Sequence, residues 1–263
     1  MQSTGNTILI TGGGSGIGRA LAEAFHALGN KVIIAGRRRQ LLEETAAANP
    51  GIEWLTLDVQ SAQGVTDFAQ EAIRRFPALN AVIHNAGIMQ AEDFLAGTGE
   101  IAGVEAIINT NLTAPLRLTA ALLPHLLKQP HATIMTVSSG LAFVPLAITP
   151  TYCATKAAIH SWTQSLRFQL RETPVEVLEL IPPYVQTELM GSGQASDPRA
   201  MPLAEFIAEV MQIIQSQPAH GEIAVQRVYP LRYAADPAAD KAKGHAQYDA
   251  FVEHFNNQML APH

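Results

Sequence analysis

Short apolar runs alternate along the chain with longer segments of helical periodicity. The runs lie at 7–11, 31–35, 52–59, 80–84, 133–137, 175–181 and 222–225. The helical patterns lie between them, at 16–29, 38–48, 61–76, 100–127, 150–172 and 202–217, with Pro124 expected to kink or end the fourth. Runs such as ILIT and VIIA are apolar at successive positions, which is typical of strands covered on both faces. The pattern predicts an α/β fold with a parallel sheet of about seven strands between two helical layers.

The pattern changes near the C-terminus. Residues 234–244 are rich in Ala, Asp, Pro and Lys, and apolar residues including Phe255 and Met259 then recur at helical spacing. This predicts a C-terminal extension over 230–263 with a terminal amphipathic helix, which either covers a pocket or packs on a partner subunit. Because composition shifts sharply nowhere else, we expect one domain over residues 1–263.

Composition narrows the function classes. A formal net charge of -6 argues against nonspecific binding to nucleic acid or to an anionic membrane. The single cysteine, Cys153, allows no intrachain disulfide, and we interpret it as a small packing residue. No stretch has 18 uninterrupted apolar residues, and the first apolar run begins too early to follow a signal peptide. We expect a cytoplasmic protein, and no pattern indicates a metal site.

A glycine-rich loop, TGGGSGIG at 11–18, directly follows the first predicted strand and opens the first predicted helix. Glycines let the backbone approach a pyrophosphate closely, and the free amides at a helix N-terminus attract anions. The position between strand and helix is the context that a dinucleotide site requires. The predicted cofactor contacts in this loop are Gly12, Gly14, Ser15, Gly16, Ile17 and Gly18.

The residues after the second strand indicate which dinucleotide binds. A carboxylate there would accept hydrogen bonds from the ribose 2'-hydroxyl of NAD, but this chain has Gly36 and Arg37. An arginine can pair with a 2'-phosphate, so we predict that NADP(H) is preferred over NAD(H). Arg38 and Arg39 are interpreted as a solvated helix start, although one of them could assist.

Two further segments suit a cofactor groove. Asp58 could hydrogen-bond the adenine edge with Val59 as an apolar contact, or Asp58 could cap the following helix. The small residues Asn85, Ala86 and Gly87 follow the fourth strand, where adenine or ribose would approach the backbone; they could equally form a turn.

Ser139, Tyr152 and Lys156 form the candidate catalytic group. In a helix over 150–172, Tyr152 and Lys156 stand one turn apart on the same face. A nearby ammonium favours the phenolate and is expected to lower the pKa of the tyrosine towards neutral pH. A tyrosine whose pKa is lowered in this way can donate or accept a proton at a carbonyl or alcohol oxygen.

Together, the glycine loop, Asp58-Val59, the NAG at 85–87 and YCATK at 152–156 resemble the short-chain dehydrogenase/reductase family. The resemblance implies a Rossmann-type doubly wound sheet and a catalytic tetrad of Asn111, Ser139, Tyr152 and Lys156. In it, Tyr152 is the general acid or base, Lys156 also holds the nicotinamide ribose, Ser139 binds the substrate oxygen and Asn111 helps to hold a water. Spacing favours Ser139 over Ser138, and the family pattern favours Asn111 over Asn109.

The family pattern also places nicotinamide contacts after the sixth strand, at Pro182, Val185 and Thr187. This chain departs from the pattern at His84, where an asparagine is usual, and at Pro183, where a glycine is usual. We expect His84 to be buried and hydrogen-bonded. The segment at 179–189, ELIPPYVQTEL, resembles a bacterial subgroup encoded with lipoteichoic-acid D-alanylation genes.

An apolar segment at 141–148 follows the candidate serine and must meet substrate, cofactor or another subunit. The predicted substrate-pocket residues are Leu141, Phe143, Tyr184 and Met190, which favour a partly apolar carbonyl or alcohol. Residues 188–202 read as a substrate lid or as a plain surface loop. By analogy with the family, we expect a homodimer or homotetramer.

The leading hypothesis is therefore an NADP(H)-dependent oxidoreductase that interconverts a carbonyl and an alcohol. The alternative is a regulator that senses NADP(H) without turnover, although a sensor has no need of Tyr152 and Lys156.

Overall fold

The strands form one parallel sheet in a computed structural model that describes residues 1–59, 61–96, 102–234 and 241–260. The sheet order is β3-β2-β1-β4-β5-β6-β7. The chain runs outwards from β1 to β3 and then returns to β4 beside β1, which opens a crevice at the carboxyl ends of these strands. The strands are β1 Thr7–Thr11, β2 Lys31–Gly36, β3 Glu53–Thr56, β4 Ala81–His84, β5 Ala132–Val137, β6 Val175–Ile181 and β7 Glu222–Ala224.

The described helices follow the predicted alternation, with additional short ones after β6. They are α1 Gly16–Ala27, α2 Arg39–Ala48, α3 Ala62–Arg75, α4 Ala102–Ile108, α5 Ala114–Leu126, α6 Pro150–Leu170, α7 Ser192–Ala195, α8 Leu203–Gln215, α9 Tyr229–Arg232 and α10 Lys241–Leu260. Residues 100 and 101 of the predicted fourth helix, and 235–240 and 261–263 of the predicted extension, lie outside the described residues. None of the helices described is long and apolar enough to cross a membrane.

The apolar runs are continuous because the two faces of the sheet bury different helices. Ile8 and Ile10 of β1 belong to a core cluster with Phe25 of α1 and Phe206 of α8. The residue between them, Leu9, belongs to the cluster formed with α3, α5 and α6 on the other face. Successive side chains of a strand point to opposite faces, so a strand between two helical layers needs apolar residues at every position.

The predicted helix at 100–127 contains a wider turn. A single π-helical turn, Asn109–Thr113, connects α4 to α5, and the residues on either side of it keep helical backbone angles. Pro124 lies in the last turn of α5, which ends at Leu126, so the predicted end near this proline is confirmed. Isolated π turns occur often at functional sites, and this one carries Asn111.

Candidate active site

Hydrogen bonds connect the glycine loop to the segment that follows β4. The side-chain amide of Asn85 donates to the carbonyls of Thr11 at 3.0 Å and Gly12 at 3.3 Å. The hydroxyl of Thr11 accepts from the backbone amides of Asn85 and Ala86, both at 3.1 Å. The predicted NAG segment therefore holds the loop in place, which a simple turn would not do.

The loop has no room for side chains at several of its glycines, among them Gly12 and Gly18. Gly12 has a φ of +69°, and a Cβ there would lie 2.9 Å from the Asn85 amide nitrogen. A Cβ at Gly18 would lie 2.3 Å from that nitrogen and from the Gly12 carbonyl oxygen. The N-cap of α1, Ser15, makes no side-chain bond to the helix amides. The backbone thus forms an open cradle at a helix N-terminus, and these residues fit a dinucleotide pyrophosphate.

The three arginines after β2 have different surroundings. Arg37 is exposed and makes no ion pair with any residue that the structure describes. Arg38 donates from Nη2 to the hydroxyl of Ser15 at 3.0 Å, and so reaches the glycine loop. Arg39 pairs with Glu43 at 2.8 Å and lies over the ring of Trp54. Arg38 is thus exposed at the start of α2, as interpreted from the sequence, and its side chain also reaches the glycine loop.

The third strand ends earlier than its apolar run predicted, at Thr56 instead of Val59. Asp58 is exposed just beyond the strand, and Val59 is buried in the core cluster under α3. The proposed capping role of Asp58 is wrong, since Ser61 is the N-cap of α3 and accepts from the Gly64 amide at 3.0 Å.

Ser139, Tyr152 and Lys156 converge at the carboxyl end of β5. All three are buried, and Ser139 and Tyr152 line the same cavity. The Lys156 ammonium lies 5.5 Å from the centre of the Tyr152 ring and donates to the Val137 carbonyl at 2.7 Å. Ser138 turns instead to the carbonyl of Leu180 at 3.4 Å. The structure therefore brings Ser139, the serine favoured by spacing, to the tyrosine.

Burial controls the charge states of this group. It raises the pKa of Tyr152, while the hydrogen bond from Ser139 acts to lower it. Burial also lowers the pKa of Lys156 to about 8, against the opposing effect of the negative charge of Glu179. The sequence predicted a tyrosine pKa lowered by Lys156. In this structure the pKa of Tyr152 is raised instead, because burial disfavours the charged phenolate.

Asn111 completes the group from the π-helical turn. Its side chain is buried, accepts from the Ile88 amide at 2.9 Å, and donates to the Ile88 carbonyl at 2.9 Å. A further bond runs from its Nδ2 to the hydroxyl of Thr155 at 3.2 Å. Gly87 lies between Asn111 and Lys156, since a Cβ there would be 3.5 Å from Asn111 Oδ1 and 3.7 Å from Lys156 Nζ. Asn111 and Lys156, two of the four residues predicted as a tetrad, thus lie at the end of the NAG segment.

A cavity of about 520 Å³ opens beside Ser139 and Tyr152. Of the predicted pocket residues, Leu141, Tyr184 and Met190 line it. The predicted pocket role of Phe143 is wrong, because Phe143 is not among the lining residues described. Its ring packs edge-on against His160 and under the guanidinium of Arg232. The cavity is also lined by Met89, Leu146, Ile148, Leu231, Phe255 and Met259. The apolar run at 141–148 and the helical spacing of the tail were the sequence signals for Leu146, Ile148, Phe255 and Met259.

The predicted nicotinamide contacts occupy the segment after β6. Pro182 lines the cavity, and Val185 is buried and bridges to Met201. The Thr187 hydroxyl accepts from Gln194 Nε2 at 3.1 Å, and its side chain would lie 3.6 Å from a Cβ at Gly16. This segment therefore connects the glycine loop to the substrate cavity.

The predicted lid forms part of the cavity wall. Residues 188–202 contain α7 and contribute Met190, Gln194, Asp197 and Arg199, among others, to the lining. The hydroxyl of Tyr184 donates to Asp197 at 3.1 Å, and Arg199 pairs with Asp197 at 2.8 Å. Several side chains of this segment therefore face the cavity.

This fold and site define a class of protein. Residues 6–197 match the sequence profile of the short chain dehydrogenases, and the chain belongs to the short-chain dehydrogenase/reductase family of oxidoreductases. Over 261 residues it is 40% identical to a Bacillus subtilis (strain 168) protein described as "uncharacterized oxidoreductase DltE", covering 98% of this chain and 99% of that one. This similarity agrees with the subgroup resemblance of the segment at 179–189.

Solved structures share the architecture. A short chain dehydrogenase from Burkholderia cenocepacia J2315 in complex with NADP superposes with a TM-score of 0.75 at 21% identity, over 100% of both chains. A short-chain dehydrogenase from Sphingobium yanoikuyae in complex with NADPH gives a TM-score of 0.73 at 24% identity, over 98% of this chain and 96% of that one. At these identities the likeness shows the fold alone, and it confirms the predicted Rossmann-type sheet.

Proposed function

We propose that the protein is an NADP(H)-dependent oxidoreductase that interconverts a carbonyl and an alcohol, with Tyr152 as general acid and base. The observation that carries the proposal is that the side chains of Ser139 and Tyr152 lie together in the wall of the cavity, with Lys156 one turn further along α6. A pair of hydroxyls at the base of an apolar cavity is suited to bind and protonate a single oxygen atom.

The glycine cradle and the exposed arginines support NADP(H) as the cofactor. When bound, the cofactor supplies or accepts the hydride. Arg37 and Arg38 follow β2, and Arg38 reaches Ser15 of the glycine loop. Both arginines offer donors for a 2'-phosphate. Several structural neighbours are complexes with NADP or NADPH, which agrees with this choice.

In the reducing direction, Tyr152 donates its proton to the substrate oxygen while Ser139 donates a hydrogen bond to the same atom. The raised pKa of Tyr152 keeps the phenol protonated, as a donor requires. The ammonium of Lys156 offsets the charge left on Tyr152 and holds the nicotinamide ribose hydroxyls. Asn111 helps to order a water that returns a proton to this group.

The cavity favours a partly apolar substrate. Apolar side chains from the loop at 141–148, from the segment after β6 and from α10 surround the two hydroxyls. Its volume of about 520 Å³ falls within the range of about 300–1,000 Å³ that is usual for small-molecule sites. We further propose a single catalytic domain, a cytoplasmic location and a homodimer or homotetramer, as expected from the sequence.

The test is NADPH consumption across a panel of aldehydes, ketones and quinones. We expect turnover of apolar members, loss of turnover in Tyr152→Phe, and unchanged NADPH affinity in that variant. Tyr184→Phe is the matched control, because it removes another tyrosine hydroxyl from the cavity wall and should retain turnover. Activity retained by Tyr152→Phe would refute the mechanism. NADPH binding with no turnover of any member would favour the sensor.

A further inference from the structure

Glu179 is a carboxylate placed inside the protein. It lies in β6, its exposed fraction is 0%, and both of its oxygens lie within 3.0 Å of Nδ1 of His160. His160 belongs to α6, one turn beyond Lys156, so Tyr152, Lys156 and His160 form one stripe on that helix. A buried carboxylate needs nearby donors or cations to offset its loss of hydration.

Glu179 and Lys156 both lie against β5, at two neighbouring residues of that strand, Thr136 and Val137. Glu179 is paired in register with Thr136 of β5, and the next pair joins Leu180 to Val137, whose carbonyl accepts from the Lys156 ammonium at 2.7 Å. The hydroxyl of Thr136 bonds Thr163 of α6 at 2.8 Å, so this face of the sheet lies against α6. The carboxylate and the ammonium are therefore enclosed between the same helix and the same two strands.

Other charged and titratable groups surround the pair. Glu222 of β7 stands beside Glu179 in register, and Arg232 of α9 pairs with Glu222 at 2.8 Å. The ring nitrogen and carboxylate oxygens of His160, Glu179 and Glu222 lie within 4.8 Å of one another, and Arg232 supplies a cation to this group. From α6, Arg167 donates to the carbonyls of Val177 and Gly221, and Tyr152 and Cys153 precede Lys156 on the same helix.

We propose that Glu179 is a positioning residue: together with its partner His160, it keeps the buried ammonium of Lys156 charged. Burial by itself favours the neutral amine, and a carboxylate in the same enclosed layer acts in the opposite direction. A protonated Lys156 is what the proposed reaction needs to offset charge on Tyr152, so the catalytic consequence rests on the proposed function. The effect of Glu179 on Lys156 does not depend on it.

The titration of Lys156 can be observed directly. The chain contains five lysines, so protein grown with ¹³C-lysine gives few side-chain signals, and Lys156→Met assigns the one of interest. We expect the wild-type Lys156 signal to titrate near pH 8. In Glu179→Gln the midpoint should fall by about one pH unit. Glu176→Gln is the matched control, because Glu176 lies on the same strand but contacts the N-terminus, and it should leave the midpoint unchanged.

A second variant covers the case in which Glu179→Gln does not fold. The double variant His160→Leu/Glu179→Met replaces the pair with apolar residues of similar size, an exchange that proteins often tolerate. It should lower the Lys156 midpoint in the same way. An unchanged midpoint in either folded variant overturns the inference. A lowered midpoint in a protein that reduces no carbonyl supports the inference and counts against the proposed function.

Discussion

The guanidinium of Arg199 donates to the backbone carbonyl of Gln258 at 3.0 Å, which joins the segment between β6 and α8 to the terminal helix α10. On the other side of the cavity, Asn256 of α10 accepts from the Ala147 amide and donates to the Pro145 carbonyl at 3.1 Å. The C-terminal helix is thus held to both sides of the cavity by hydrogen bonds. Between these contacts, Phe255 and Met259 line the cavity.

Loss of one of these contacts should loosen α10. In Asn256→Ala, three side-chain hydrogen bonds disappear, to Ala147, Pro145 and Val252. We expect faster amide hydrogen exchange in α10 and a KM for apolar substrates raised by about 3- to 10-fold, which corresponds to the net value of one hydrogen bond. NADPH affinity should not change, because the cradle lies elsewhere.

Asn257→Ala is the control for this change, since Asn257 is an exposed neighbour of the same residue type. Exchange rates and KM should match those of the wild type in that variant. Equal effects of the two substitutions would show that the contacts of Asn256 do not hold the helix.

The arginines after β2 should contribute unequally to cofactor choice. Arg37→Ala and Arg38→Ala should each weaken NADPH binding by about tenfold or more while leaving NADH binding nearly unchanged, because each removes a donor for the 2'-phosphate. Arg39→Ala should have little effect, since Arg39 is paired with Glu43. Dissociation constants for both cofactors measure this. Equal affinity of the wild type for NADPH and NADH would refute the predicted preference.

The reaction should lose rate in mild alkali. Lys156 is charged below its pKa of about 8 and neutral above it, so carbonyl reduction should be level below this pH and fall above it. The pH dependence of kcat/KM measures the midpoint. NADPH binding by Tyr152→Phe should weaken over the same pH range, because that variant keeps Lys156. A profile that stays level to pH 10 would contradict the assignment.

His84 should make the protein sensitive to acid. Its side chain is buried against the hydroxyl of Thr119 at 2.8 Å, and burial lowers its pKa to about 4. The unfolded chain takes up a proton near pH 6.5, so the free energy of unfolding should fall by about 3 kcal/mol as the pH drops from 6.5 to 4.

Urea unfolding of His84→Asn at pH 7 and pH 4.5 tests this prediction. The variant should lose less stability between the two pH values than the wild type does. His254→Asn, which changes an exposed histidine, should behave as the wild type. An identical pH dependence in His84→Asn and the wild type would show that His84 does not titrate in this way.

Periodicity predicted the sheet and its covering helices, because strands such as β1 must be apolar on both faces. It did not predict the π-helical turn at 109–113, from which Asn111 bonds Ile88 and Thr155, residues distant in the chain. Spacing selected Ser139 correctly as the neighbour of Tyr152. It could not show that Phe143 turns away from the cavity, since the direction of a loop side chain is set by its tertiary neighbours, here His160 and Arg232.

The sequence by itself determined the order of strands and helices, the glycine loop at a helix N-terminus and the grouping of Tyr152 with Lys156, because these depend on local periodicity and spacing. Only the tertiary structure decided that Arg38 reaches Ser15, that α10 closes the cavity, and that Glu179 lies in the layer that encloses Lys156. These relationships join residues far apart in the chain. Only packing and burial establish them, and burial also sets the charge states of Tyr152 and Lys156.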